Sequence, residues 1–263
     1  PEFLEYLPVV ESSYSIKAVS KSGATGLWQF MENSIKPYMH KNQWIDERYD
    51  PWVATRAALS KLQDNYKTLG TWELALAAYN YGLGGITRII KQNPNKDYWQ
   101  LSEEGLLRTE TKNYVPRLLV IADLIINSQH YEIDLPILNS KDYHAFSEIT
   151  VNDCYDINLI AQKADIPLQT LIFFNPALKY NITPPNIDYK LRIPKEKLSE
   201  VKTALMSITP QQAQLYTVKK GDTLWSISRK YNVNLEELCR INKIQQNGIL
   251  SIGKVLKLPI NNR

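Results

Sequence analysis

Near the start of this sequence a carboxylate stands on an apolar stripe. In LEYLPVVESS (4–13), Leu4, Leu7 and Glu11 fall at i, i+3 and i+7, which is one face of a helix. A carboxylate among apolar side chains costs free energy unless it is paired or keeps its proton. Such surroundings disfavour the charged form and raise the pKa. An acid still protonated near neutral pH can donate its proton to a leaving group, so Glu11 is a candidate general acid. Helix geometry alone favours a plainer reading, a helix-end Glu that swings out to solvent.

The elements around Glu11 read as helices throughout residues 1–130. DPWVATRAALSKLQDNYKTL opens with an Asp N-cap and Pro at the first helical position. Its Trp52, Leu59, Leu62, Tyr66 and Leu69 keep helical spacing. TWELALAAYNYG stops at Gly82, and ETKNYVPRLLVIADLIINS is a further helix, bent at Pro116. Strand patterns are missing here, which predicts an all-α domain over residues 1–135.

The second half has another rhythm. YTVKKGDTLWSISRKYNVNLEELCRINKIQQNGILSIGKVLKLP reads β-α-α-β, with an Asn234/Glu237 capping box on the second helix. A fainter copy lies 67 residues earlier. Val151, Ile160, Ala161, Ile166, Leu168, Leu171 and Asn175 recur as Val218, Ile227, Ser228, Val233, Leu235, Leu238 and Asn242, and LRIP is answered by LKLP. The expected boundaries are a first module at 144–195, a polar linker with some helix at 196–215, and a second module at 216–260. The fold class is α+β: a helical domain followed by small βααβ modules.

Composition narrows the chemistry. The chain has two cysteines and three histidines, widely separated and without a CxxC, so neither a metal site nor a cofactor is expected. Cys154 and Cys239 lie in helix-like apolar contexts and read as buried thiols rather than as a disulfide. No run approaches a membrane span. The chain opens at Pro1 inside a helical pattern and reads as a fragment, so a membrane attachment is expected only through an anchor outside it. Residues 216–259 hold eight Lys/Arg against three Asp/Glu. That basic face suits an anionic polymer or is simply a solvated surface. No nucleic-acid motif accompanies it.

Four motifs change the weight on Glu11. Glu11-Ser12-Ser13 is followed by AVSKSGATGLWQF (18–30), AAYNYGLGGI (77–86) and ETKNYVP (110–116). In that order they resemble the motifs of the family 1 lytic transglycosylases, whose fold is similar to goose-type lysozyme. The resemblance covers about residues 1–130. It implies that Glu11 is the single catalytic acid, and that Ser20 and Ser22 line the cleft beside it. It implies further that Gln29 and Met31 contact substrate, that Tyr79 and Asn80 lie over the scissile bond, and that the Tyr114 phenol sits close to Glu11. Taken singly, Tyr79 and Tyr114 also read as core aromatics and Asn80 as a helix cap. Trp28 departs from the Met found there in many relatives.

The 216–259 stretch resembles a LysM domain, with YTVKKGDTLWSIS as its signature. That resemblance implies glycan binding through Gly221, Asp222, Thr223 and Leu224, with Asn247–Leu250 as the facing wall. Asp222 reads equally as a helix N-cap. The earlier copy lacks the Gly-Asp turn and reads as a degenerate LysM.

Together these resemblances imply cleavage of peptidoglycan glycan strands between N-acetylmuramic acid and N-acetylglucosamine, leaving a 1,6-anhydro end. A monomer in the bacterial cell envelope, periplasmic or membrane-anchored, is expected. A hydrolytic muramidase or chitinase on the same scaffold, or a non-catalytic wall-binding protein, are the alternatives. A two-carboxylate scheme would need a partner for Glu11, and Asp46, Glu47, Asp50 and Glu110 are the acids in reach by sequence. Asp50 reads as a helix cap and Glu110 as part of the late motif.

Overall fold

A computed structural model describes residues 1–136, 146–210, 213–231 and 233–259. It is α+β and divides into two units, Pro1–Lys41 with Asp46–Asp142, and Asn42–Ile45 with Tyr143–Arg263.

The first unit is helical except across residues 13–50, expected as helix, which run as loop with 3-10 turns at Glu32–Ser34 and Glu47–Tyr49 and isolated β-bridges. A 3-10 turn, Glu2–Tyr6, runs into α1 (Leu7–Ser12), followed by α2 (Pro51–Leu69), α3 (Trp72–Tyr81), α4 (Leu83–Gln92), α5 (Tyr98–Glu103) and α6 (Thr109–Ile126). Asp50 caps α2 as expected, its Oδ1 accepting from the backbone of Trp52 at 3.1 Å and Val53 at 3.0 Å. The expected apolar stripe of α2 is displaced. Leu59 is 45% exposed, and the buried face is Ala54, Ala57, Ala58, Leu62 and Asn65. Small residues there let α2 approach α3, whose Leu74–Ala78 run is buried throughout. Apolar burial of this kind contributes roughly 25 cal/mol per Å² removed from water.

Pro116 lies inside α6 and cannot donate to the Lys112 carbonyl one turn back. The Tyr98 phenol fills that gap, donating to Lys112 O at 2.8 Å and to Thr111 O at 3.0 Å. A polar group that would otherwise be orphaned in the helix is thereby satisfied.

The second unit contains the repeat. Its first copy runs β1 (Phe146–Val151), α7 (Ile157–Lys163), α8 (Leu168–Phe174) and β2 (Tyr189–Pro194). After α9 (Leu198–Ser207) the second copy runs β3 (Ala213–Thr217), α10 (Leu224–Lys230), α11 (Leu235–Asn242) and β4 (Val255–Pro259). Each copy closes as an antiparallel pair, β1 on β2 from Phe146↔Pro194 to Val151↔Tyr189, and β3 on β4 from Ala213↔Pro259 to Thr217↔Val255.

The two aligned asparagines explain one another. Asn175 ends α8, donates to Leu171 O and Arg192 O, and accepts from Arg192 N. Asn242 does the same with Leu238 O, Lys257 O and Lys257 N, all at 2.8 Å. One side chain ties the second helix to the closing strand in both copies, so both copies need an amide there.

Residues 196–215 were expected as a linker with some helix. The helix is α9, and its Val201 and Ala204, with Ile208 after it, are buried in the core of the first copy. Trp44 and Ile45 are buried in the same core. Cys154 and Cys239 are buried free thiols. Cys154 lies in the loop after β1 rather than in a helix, and burial pushes its thiol up to about 11. The capping box expected at Asn234 and Glu237 lies outside the described side chains. No helix among the described residues is long and apolar enough to cross a membrane.

Candidate active site

Leu4 and Leu7 are buried, and the stripe they begin carries Glu11 into the protein at the last turn of α1. The helix stops at once. Ser13 and Tyr14 are left-handed, and Ser12 Oγ donates to Leu27 O at 2.8 Å, pinning the end of α1 to the loop that follows. Burial raises the Glu11 carboxyl to about 7, and the nearby charge of Glu110 adds to the effect. A hydrogen bond from the Tyr114 phenol to Glu11 Oε1 and the positive charge of Lys61 act in the opposite sense. The carboxyl therefore stands at the boundary between acid and base near neutral pH.

Tyr114 comes from α6, on the turn that Tyr98 braces. Tyr114 and Tyr79 are both buried, and burial holds both phenols well above their ordinary value. Each feels the Glu11 carboxylate. Tyr79 donates to Trp28 O at 2.9 Å and meets Phe30 edge-on at 6.0 Å. Asn80 sits inside the last turn of α3 and does not cap the helix. Its Nδ2 donates to Glu110 Oε1 at 3.0 Å, and its Oδ1 accepts from Thr111 Oγ1 at 2.8 Å. The third and fourth motifs are thus bolted together through side chains.

The 18–30 loop is shaped by a buried ion pair. Arg48 holds Asp46 through two contacts at 2.9 and 2.7 Å and also donates to Gly23 O and Phe30 O. Gly26, at φ +83°, packs so closely that a Cβ there would come 1.8 Å from Arg48 O. Ser20 and Ser22 share a 3.0 Å hydroxyl contact on the exposed side of the loop, and Ser20 Oγ also accepts from Ala24 N. Gln29 spends its amide N–H groups on the loop backbone, at Gly26 O (2.8 Å) and Ala18 O (3.4 Å). Met31 is 37% exposed. Trp28 is buried, with Nε1 on Thr55 Oγ1 at 2.8 Å, which accommodates the departure noted in the sequence.

The acids considered as a second catalytic carboxylate are all engaged. Asp46 pairs with Arg48, Glu47 accepts from His40 N, Asp50 caps α2, and Glu110 accepts from Asn80. Among the described residues no group of His, Cys, Asp and Glu could hold a metal ion.

Sequence reasoning missed Lys61. It lies on the buried face of α2 beside Ala57, Ala58 and Leu62, with its ammonium 4.8 Å from the Tyr79 ring centre and 5.2 Å from that of Phe30. The available signal was the one that identified Glu11, a charge on an apolar stripe.

In the last module the turn entering α10 serves its own structure. Thr223, not Asp222, caps α10, exchanging hydrogen bonds with Ser226. Asp222 instead accepts from Tyr216 OH and Lys219 N, both at 2.6 Å. The Tyr216 hydrogen bond holds its carboxyl below the ordinary value. Gly221 takes φ +89° in the turn. The Leu224 side chain, expected at the glycan, is buried in the module core because α10 turns it inward. On the facing loop Ile249 is 93% exposed.

Residues 1–102 match the family described as Transglycosylase SLT domain. Residues 145–210 match Lytic transglycosylase MltD, LysM-like domain, and residues 216–259 match LysM domain. The chain is 30% identical over 264 residues to Membrane-bound lytic murein transglycosylase D of Escherichia coli K12, covering 93% of this chain and 57% of that protein. It is also similar to a putative tributyltin chloride resistance protein of Alteromonas sp. M-1, 36% identical over 36% of this chain and 47% of that one. The probable peptidoglycan endopeptidase LytE of Bacillus subtilis 168 is 46% identical over 16% of this chain and 13% of its own length. The chain spans little more than half the length of the murein transglycosylases it matches. The chain thus carries a transglycosylase SLT domain, an MltD-type LysM-like domain and a LysM domain, in that order.

Proposed function

We propose that this chain is a peptidoglycan lytic transglycosylase with Glu11 as its one catalytic group. The observation that carries the reading is a carboxyl poised near pH 7 under the Tyr114 phenol, while each other candidate carboxylate is committed elsewhere. Glu11 gives its proton to the glycosidic oxygen, and the bond from that oxygen to C1 of N-acetylmuramic acid breaks. The N-acetyl oxygen of the same sugar assists at C1. The Glu11 carboxylate then takes the proton of the muramoyl O6 hydroxyl, O6 closes on C1, and the acid is regenerated. Attack from within the substrate enjoys a high effective molarity, so no water has to be positioned. One group serves as acid and then base, which suits a pKa near the working pH.

Ser20, Ser22, Gln29, Met31, Tyr79 and Asn80 form the substrate-facing set in this reading. Gln29 and Asn80 shape the site through the contacts they make within the protein. The catalytic domain takes residues 1–135 and the LysM domain 216–260. The 144–195 module extends through α9, whose buried residues belong to its core. The LysM turn around Gly221–Leu224 and the exposed Ile249 loop hold glycan, which tethers the enzyme to its polymer and raises its local concentration. The protein works as a monomer in the bacterial cell envelope, on peptidoglycan strands.

Mass spectrometry of soluble products from purified peptidoglycan tests this, with Glu11→Gln alongside. Anhydro-muropeptides from the unmutated chain and a loss of at least a hundredfold in Glu11→Gln are expected. Products heavier by one water would mean a hydrolase.

A further inference from the structure

Lys61 makes no ion pair or hydrogen bond with the described residues, and the Glu11 carboxyl acts on its charge only beyond ion-pair distance. Among the described residues no carboxylate lies within ion-pair distance of it, and its ammonium donates no hydrogen bond. Asp64, one turn along α2, is taken by the Tyr38 phenol at 2.8 Å and by Lys67. The Glu11 carboxyl is bonded to Tyr114. What Lys61 has is two aromatic faces, Tyr79 and Phe30, each attracting a cation through the ring quadrupole. These hold the ammonium in place without using its three N–H donors. No fully buried side-chain nitrogen or oxygen among the described residues lacks a partner, so the Lys61 nitrogen, which makes no hydrogen bond, is not fully buried. Burial also lowers its affinity for a proton, a cost that an arriving anion would relieve.

The chemistry at Glu11 limits what such a cation can do. The proposed reaction builds positive charge at C1 of the muramoyl sugar. A fixed ammonium nearby opposes that charge; the Glu11 carboxylate formed in the same step offsets part of it, and an anion on the same sugar would offset more. The muramoyl residue carries one candidate, the carboxyl of its O3-lactyl group. That group is an anion when no stem peptide is attached and a neutral amide when one is.

We infer that Lys61 forms an anion subsite beside Glu11 that takes the free lactyl carboxylate of the muramoyl residue, so that strands stripped of their stem peptides are the preferred substrate. The inference rests on the lytic transglycosylase reading and deepens it. Tyr79 acts in this subsite as a positioning residue, its ring fixing the ammonium and its hydroxyl locked on Trp28 O.

The test uses peptide-free glycan strands and the same strands with their lactyl carboxylates converted to methylamides. Anhydro ends are counted for the unmutated chain, Lys61→Met and Lys61→Arg. The unmutated chain should favour the carboxylate form. Lys61→Met should shrink the ratio of kcat/KM between the two substrates about tenfold, mostly through KM, as expected for one charge-assisted hydrogen bond. Lys61→Arg should keep the preference. Equal losses on both substrates in Lys61→Met, or no preference in the unmutated chain, would overturn the subsite. Equilibrium binding of both strands to Glu11→Gln and to Glu11→Gln with Lys61→Met gives the same ratio without turnover. An absence of anhydro ends with an intact binding preference would therefore sink the reaction and spare the subsite.

Discussion

At Glu11 the property that suits the proposed acid–base role is a liability for stability. Desolvation of the half-buried carboxyl pushes it up to about 7 against an ordinary 4.5. Between those values the folded state holds a proton that the unfolded chain has released. Stability therefore falls as pH rises from about 4.5 through 7, and the full cost is present above 7. Glu11→Gln removes the titration. It should be more stable than the unmutated chain by about 3 kcal/mol at pH 8, with the gap closing toward pH 4.5. Denaturant melts of both proteins across that range would show it, and a gap independent of pH would contradict the assigned shift. Both this carboxyl and Lys61 are charges on apolar helical faces. Glu11 was legible from its stripe and its motif together, whereas Lys61 lies in a stretch whose legible signal is the spacing of its leucines and aromatics.

At the scale of elements, the active face depends on joints. Arg48 and Gly26 join the 18–30 loop to the segment before α2, and Asn80, Glu110 and Thr111 join α3 to α6. Gly26→Ala should be severe, since its Cβ meets backbone oxygen at 1.8 Å and its φ is +83°. A loss of at least about 3 kcal/mol and collapse of activity are expected. Gly23→Ala is the control. It shares a positive φ, but its Cβ meets nothing within 4 Å, so only about 1 kcal/mol should be lost. Equal melting temperatures for the two variants would refute the steric argument.

For the molecule as a whole, charge is concentrated in the last module, where residues 216–259 carry a local +5. Part of it is spent internally, since the Lys257 ammonium donates to Tyr180 O. On the proposed function, the remainder would favour an anionic wall over a neutral glycan, in a way that salt screens. Retention on insoluble peptidoglycan should fall several-fold between about 0.05 and 0.3 M salt, while binding of neutral N-acetylglucosamine oligomers holds steady. A pull-down series at fixed pH would decide it, and parallel salt curves would assign retention to the neutral contacts alone.

The order of elements follows from the sequence. Helical periodicity, the Asp50-Pro51 start and the Gly82 stop are local signals, and local geometry obeys them. The repeat was legible too, because its asparagines answer the same structural need twice. The sequence could also place Glu11 on an apolar face, since three residues of one helix suffice for that. It could not show what stands over the carboxyl, because Tyr114 is 103 residues away and reaches it only after α1 and α6 pack. Nor could it show that Asp46, Glu47 and Glu110 are already engaged, or that Lys61 is left with two rings and no ion pair. A pKa is set by the whole surrounding of a group, and only tertiary packing creates that surrounding.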